Sequence, residues 1–265
     1  DGKVHDQDCI DLCNKLIQTI NEHGESTHSE VTEKGLLLEF GKTGSSRPNT
    51  SLSKNALFTG STRDLQLGSQ YVRELKTADS VDILCAFITW GGIVSIKNEL
   101  SDYTRSGRKL RVITTAYMGA TDSKAVEFLA DLPNCEVKIS YDTKRTRLHA
   151  KASMFHRESG FSAAYVGSSN ISKPALSTGL EWNIKVSEAA SESIWEKACI
   201  TFEEYWHSSE FSEFKTEEDR ERLRKALKSE KRRGENALMM IDVKPHPYQE
   251  PILDQIKADR ERYGK

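Results

Sequence analysis

His149 and Lys151 stand two residues apart in the stretch Leu148–Asn183, LHAKASMFHRESGFSAAYVGSSNISKPALSTGLEWN. On an extended segment alternate side chains leave the same face, so an imidazole and an ammonium would share one surface. An imidazole moves protons or attacks near neutral pH, and an ammonium steadies a developing oxyanion. After a turn around Glu158–Gly160 a second apolar run, Ala163–Val166, ends at Gly167-Ser168-Ser169-Asn170. A third run carries Glu181 immediately before Trp182. If the three runs are neighbouring strands, His149, Lys151, Ser168, Asn170 and Glu181 converge at one spot. Such a set holds a nucleophile, a cation, hydroxyl and amide donors and a carboxylate, which is what displacement at phosphorus needs. With 7 histidines in a lysine-rich chain, His149 alone would read as a hydrogen-bonded strand histidine. The GSxN sixteen residues after Lys151, and a glutamate eleven residues past Asn170, reverse that reading.

The constellation resembles the phospholipase D superfamily, whose signature is HxK, then GSxN some sixteen residues on, then a later carboxylate. It is most similar to the nuclease branch, in which one chain carries one signature and two chains build one site. The resemblance implies that His149 attacks phosphorus to form a phosphohistidine. His149 of a second subunit would protonate the leaving group across a two-fold axis. Lys151 and Asn170 would donate to the non-bridging oxygens, Ser168 would support that network, and Glu181 would accept from the other ring nitrogen of His149. Cleavage would need no metal and no cofactor. One position departs from the signature: five residues after the lysine the family has an aspartate, and this chain has His156. That aspartate is viewed as structural support, so the change bears on local geometry more than on chemistry.

The basic residues Lys144, Arg145, Arg147, Lys151 and Arg157 cluster in sequence around the expected site, whereas acidic residues crowd the ends. The net charge of −2 excludes a protein that is basic throughout. A local basic patch still steers a polyanion. In Tyr141–Arg147, the residues Arg145 and Arg147 suit a DNA backbone. The segment Thr114–Thr121 follows a strand and precedes a helix. Ligands bind beyond the carboxyl ends of parallel strands, so Tyr117 and Thr121 are candidates for the phosphate path. An ordinary connection with Thr121 or Asp122 capping the helix is the competing reading. Trp90 is expected to be a packed core tryptophan rather than a stacking platform for a base.

Those residues need a scaffold. Strands are expected at Val81–Thr89, Lys109–Thr114 and Cys135–Ser140, with helices near Ser69–Thr77 and at Gly92–Arg105, Ser123–Asp131 and Glu192–Trp206. Strands alternating with helices predict an α/β fold: a phospholipase D-like mixed, mostly parallel sheet sandwiched between helices, with helical N- and C-terminal appendages. The expected division is an N-terminal helix and strand at 1–45, the nuclease domain at 46–210, a charged, solvated helical connector at 211–245, and a last piece at 246–265. In that last piece Pro247-Tyr248-Gln249, followed by an amphipathic helix, resembles the entrance to superfamily 2 helicase motors. The whole pattern is similar to restriction-type proteins that fuse a phospholipase D nuclease to a helicase. ATP and Mg are expected only for the helicase part, since Gly41-Lys42-Thr43 lacks the spacing of a phosphate-binding loop.

At 265 residues, 37% hydrophobic and 29% charged, the chain suits one large globular domain with appendages. No apolar run approaches the roughly 20 residues of a membrane helix, and no secretory leader is evident. Five scattered cysteines, Cys85 inside an apolar strand pattern, predict reduced thiols and a cytoplasmic protein. The expected partners are DNA, a second copy of the chain and a C-terminal helicase, with no membrane. Two alternatives stay open: a catalytically weak DNA-binding or dimerisation module, and a phospholipid-acting phosphodiesterase.

Overall fold

Successive apolar side chains from Val81 to Cys85, interrupted at Asp82, are what a strand covered on both faces requires. In the computed structural model, which describes residues 6–23, 47–61, 63–144, 147–239 and 250–263, this strand lies in the middle of the sheet. The order is α1 (Asp6–His23), β1 (Ala56–Phe58), α2 (Leu67–Thr77), β2 (Ser80–Cys85), α3 (Trp90–Val94) and α4 (Lys97–Arg105). There follow β3 (Lys109–Thr115), a 3-10 turn at Tyr117–Gly119, α5 (Ser123–Ala130), β4 (Cys135–Ser140), β5 (Lys151–His156) and β6 (Ala163–Gly167). The chain ends with α6 (Lys173–Leu176), β7 (Asn183–Ser187), α7 (Glu192–His207), β8 (Phe211–Glu213), α8 (Glu217–Met239) and α9 (Glu250–Tyr263). The strand expected around Leu36–Leu38 lies outside the described residues.

The eight strands run in the order β1-β7-β6-β5-β2-β3-β4-β8. The mixed sheet between helices is as expected, but the balance of directions is not. Only β2–β3 and β3–β4 are parallel; the other five pairings are antiparallel. Parallel neighbours need a long crossover, which the segments carrying α3–α4 and α5 provide. Past β4 the strands that follow at once are antiparallel, and α7 later carries the chain from β7 across the sheet to β8. The Arg157–Ser162 turn joins β5 directly to β6 as a hairpin, and at the opposite end of the sheet the α6 loop joins β6 to β7.

Alternation along the strands splits the core in two. Val81, Ile83, Val112, Val137 and Phe155 meet α2, α4, α5 and α8 on one face. Leu84, Ile113, Met154 and Val186 meet Trp195, Phe202 and Trp206 of α7 on the other. That second face is half covered. Leu57, Ile184 and Val166 are register partners in β1, β7 and β6 and are 52%, 44% and 40% exposed.

Helix α8 is not the solvated connector expected of its charge. Thr216 and Asp219 form a capping box in which the Asp219 carboxylate accepts from the Lys215 and Thr216 amides at 2.9 and 2.8 Å. One turn further on, Leu223 and Leu227, spaced i and i+4, enter the larger core. With β8 paired to β4, sheet and core extend past residue 210.

Beneath α7 the buried Asp82 is satisfied by Arg111 through two bonds of 2.6 and 2.7 Å and by His156 at 2.8 Å. Burial pushes the Asp82 carboxyl up, but these hydrogen bonds and charges outweigh it and hold its pKa below the ordinary value. His156 thus sits on a carboxylate supplied by the neighbouring strand. Its place is at the far end of β5 from Lys151, about 17 Å away at strand rise, so the departure from the signature is remote from the reacting groups.

Candidate active site

The register assigns every signature residue to one end of the sheet. Lys151 opens β5 opposite Cys85, the last residue of β2, and Gly167 closes β6 opposite Asn183, the first residue of β7. That end is also where β2 and β3 finish, in keeping with ligand binding beyond the carboxyl ends of parallel strands.

His149 precedes β5 and is exposed; Lys151 is only 8% exposed. The Lys151 ammonium donates to the His149 carbonyl at 2.7 Å and lies 3.1 and 3.3 Å from His149 Nδ1 and Nε2. Near-equal distances place the cation against the imidazole without favouring either nitrogen. Phe87 closes the pair from the side, its ring centroid 5.6 Å from that of His149 and 5.8 Å from Lys151 Nζ. Burial lowers the Lys151 pKa, while Cys85 and Glu181 work against the shift. Cys85 itself is held as a thiol, because burial pushes it up to about 11.

On the adjacent strands the Ser168 hydroxyl donates to the Glu181 carboxylate and accepts the Trp182 amide at 3.1 Å. This differs from the expected arrangement. Among the described contacts Glu181 is held by Ser168, not by the His149 ring, and it reaches the pair through its field at Lys151. The connection between β6 and β7 brings it back beside Ser168, one residue before Trp182. Asn170 accepts the Phe87 amide at 3.3 Å through Oδ1, which leaves its two N–H donors available. Gly167 is obligatory here: a Cβ would lie 2.2 Å from the Trp182 carbonyl oxygen and 2.5 Å from Asn183 Oδ1.

The expected substrate-binding residues divide. Arg147 is exposed beside His149, with a positive φ of 44°. Arg145 lies outside the described residues. Tyr117 is half-buried on the 3-10 turn at the same end of the sheet. Thr121 borders the space between α5 and α8 but is only 1% exposed, and its hydroxyl is engaged by the carbonyls of Thr115 at 3.0 Å and Ala86 at 3.2 Å. Arg157 leaves the basic cluster altogether. It lies at the opposite end of β5, buried against Glu74 and donating to Thr77 Oγ1 at 2.7 Å. Phe87 and Cys85, which frame the pair, were legible only as strand residues; what marks them is their position at a strand's end.

Among the described residues no group of three or more His, Cys, Asp or Glu side chains is placed to hold a metal ion. No described helix is long and apolar enough to cross a membrane. Cys13, Cys85, Cys135 and Cys199 are free thiols.

A family model described as "Cardiolipin synthase, PLD-like domain" matches residues 71–206, just over half the chain and inclusive of every signature residue. No curated protein matches. Among solved structures the chain is similar to NucT from Helicobacter pylori, at 18% identity and a TM-score of 0.47, covering 61% of this chain and 99% of that one. It is also similar to the phospholipase D family member Nuc from Salmonella typhimurium, at 14% identity and a TM-score of 0.43, covering 62% and 100%. Polyphosphate kinase from Porphyromonas gingivalis aligns at 14% identity and a TM-score of 0.46, covering 79% and 29%.

Proposed function

The chain belongs to the phospholipase D-like superfamily of phosphodiesterases, and on that premise we propose that it is a metal-independent DNA endonuclease domain whose site is shared by two copies. The observation that carries the reading is the His149–Lys151 pair, an accessible imidazole against a nearly buried ammonium, at a sheet end that also holds Ser168, Asn170 and Glu181. His149 attacks the phosphorus through a ring nitrogen, and as the N–P bond forms the P–O bond to the leaving sugar breaks. The leaving oxygen takes a proton from His149 of the second copy. Water then attacks phosphorus, gives its proton to that second imidazole and releases His149. Lys151 and the free amide protons of Asn170 neutralise the non-bridging oxygens. Glu181 fixes Ser168 and supports the charge on Lys151.

A second copy is needed for the proton. Among the described residues the other histidines are His23 in α1, His156 at the far end of β5 and His207 at the end of α7. The surface next to the site suits such a copy, because Leu180 and Trp182 flank Glu181 at 82% and 66% exposure. Exposed Lys144 and Arg147 on the same edge favour a polyanionic substrate. Residues 245–249 precede α9 outside the described residues. On the resemblance of Pro247-Tyr248-Gln249 to a helicase entrance, the domain serves as the front of a restriction-type nuclease–helicase, with ATP and Mg used by the motor alone.

Supercoiled plasmid in excess EDTA tests the reading. Wild type nicks it, and His149→Ala lowers the rate by about 10³-fold or more, since nucleophile and acid are lost together. Cleavage that vanishes in chelator, or survives His149→Ala, overturns it. The exposed Leu180 and Trp182 would equally suit a phospholipid surface, so phosphatidylcholine vesicles belong in the same assay; their hydrolysis with plasmid left intact selects the lipid reading.

A further inference from the structure

A second feature of this edge lies beyond the signature. Between α5 and α8 is a cavity of about 600 Å³ whose lining includes Trp90, Asp122, Lys124, Lys228, Lys231 and Arg232. We infer that it is a binding site for the phosphodiester backbone of DNA flanking the scissile phosphate, which rests on the nuclease reading.

The charges of α8 are not equivalent. Arg220 is paired with Asp131, Arg224 with Glu127, Lys225 with Glu221 and Arg233 with Glu230. Lys228, Lys231 and Arg232 have no acidic partner among the described residues and all face the cavity. Their spacing, i, i+3 and i+4, places them on one helix face, with about 6 Å of axial rise from Lys228 to Arg232. Such a ladder of unneutralised cations faces a run of phosphates better than a single anion. The opposite wall is equally specific. Lys124 lies 4.2 Å from the Trp90 ring centroid and Lys97 lies 5.7 Å from it, so the indole holds two ammonium groups by cation–π attraction without neutralising them. The one carboxylate in the lining, Asp122, accepts the Trp90 amide at 2.8 Å.

The cavity adjoins the reacting pair. Phe87 packs on His149, and Trp90 follows three residues later, a span of at most about 10 Å. The loop carrying Lys144 and Arg147 is tied to α8 where Thr143 donates to Glu230 at 3.0 Å and Arg222 stacks 4.0 Å over Tyr141. Gly119 lets the 3-10 turn approach α8 closely, since a Cβ there would meet the Leu227 carbonyl oxygen and Lys231 Cγ at 2.7 Å. One basic track therefore runs from the loop before His149 into the cavity.

The test is the salt dependence of duplex DNA binding by fluorescence anisotropy in EDTA, in a His149→Ala background so that binding is read without cleavage. Lys228→Gln/Lys231→Gln is compared with Lys76→Gln/Lys109→Gln, which removes the same charge at the opposite end of the sheet; glutamine keeps helix propensity, and circular dichroism checks α8. Loss of two phosphate contacts makes the slope of log K against log salt shallower by about 1.8 than in the control pair. Equal slopes in the two double variants overturn the cavity and leave the nuclease reading standing. A chain that shows the slope difference but leaves plasmid uncut with His149 intact keeps the cavity and removes the nuclease. Sensitivity of binding to phosphatidylglycerol vesicles, with no change in the DNA slope, assigns the cavity to a membrane and overturns the proposal.

Discussion

A lysine that is 8% exposed and held against an imidazole is a costly thing to keep charged, and the protein offsets that cost with the Glu181 carboxylate. The sign of the resulting pH dependence follows. Burial disfavours the ammonium, so its folded pKa lies below the 10.5 of an ordinary lysine. The protonated form is the one that can hold an oxyanion, and it is lost as pH rises through that lowered pKa. The alkaline limb of kcat/KM is therefore expected below pH 10.5, and Glu181→Gln, which removes the supporting charge, moves it further down. A limb at the same pH in both proteins refutes the coupling. Asn170 makes a complementary point: once its oxygen is committed to the Phe87 amide, its donors have only one direction left to serve.

Strand β5 divides two kinds of polar chemistry, one at each end. At the start is the reacting lysine; just past the end Arg157 is buried against Glu74, which also accepts the Tyr165 hydroxyl at 2.7 Å. Glu74 is 0% exposed, so Arg157→Ala strands a buried carboxylate and is expected to cost about 3–5 kcal/mol in urea denaturation. Glu74→Met/Arg157→Met should cost less than that, because the two opposite charges leave together and only the Tyr165 hydroxyl and Lys185 lose a neighbour. An Arg157→Ala chain as stable as wild type would show the pair to be dispensable. These two ends explain what was legible in the sequence. The spacing of His149 and Lys151 survives any strand assignment, because period two is local, and the pairing of β5 with β6 puts the HxK and GSxN segments at one end of the sheet. Whether Arg157 lay near them depended on the length of β5, six residues of which carry it to the other rim. Thr121 shows a related limit: its position past a strand's carboxyl end is legible, but not that two backbone carbonyls engage its hydroxyl. Helix α8 was opaque because two leucines among many charges suffice to dock it.

At the scale of the whole molecule the uneven covering of the sheet matters most. Helix α7 shields β2 and β3 but leaves the row Leu57–Ile184–Val166 open next to a site that holds one histidine. If that row and Trp182 meet a second copy, the mass in solution is twice 29.9 kDa, and Ile184→Glu returns it to the single-chain value while abolishing DNA cleavage. Because Ile184 is 44% exposed, the substitution should leave thermal unfolding nearly unchanged. A wild-type chain that sediments as one copy at concentrations where it cuts DNA excludes the shared site. The outermost pairing has a further consequence. Among the described residues strand β1, at residues 56–58, pairs with β7, at 183–187, as the sheet's outermost strand, and Gly60 beyond it packs on Gly179 and Glu181. An emerging polypeptide must therefore hold its early segment unpaired until nearly 130 further residues have left the ribosome. The candidate site therefore cannot assemble on a half-made chain; a translation product that stops short of Glu181 lacks the carboxylate that holds Ser168.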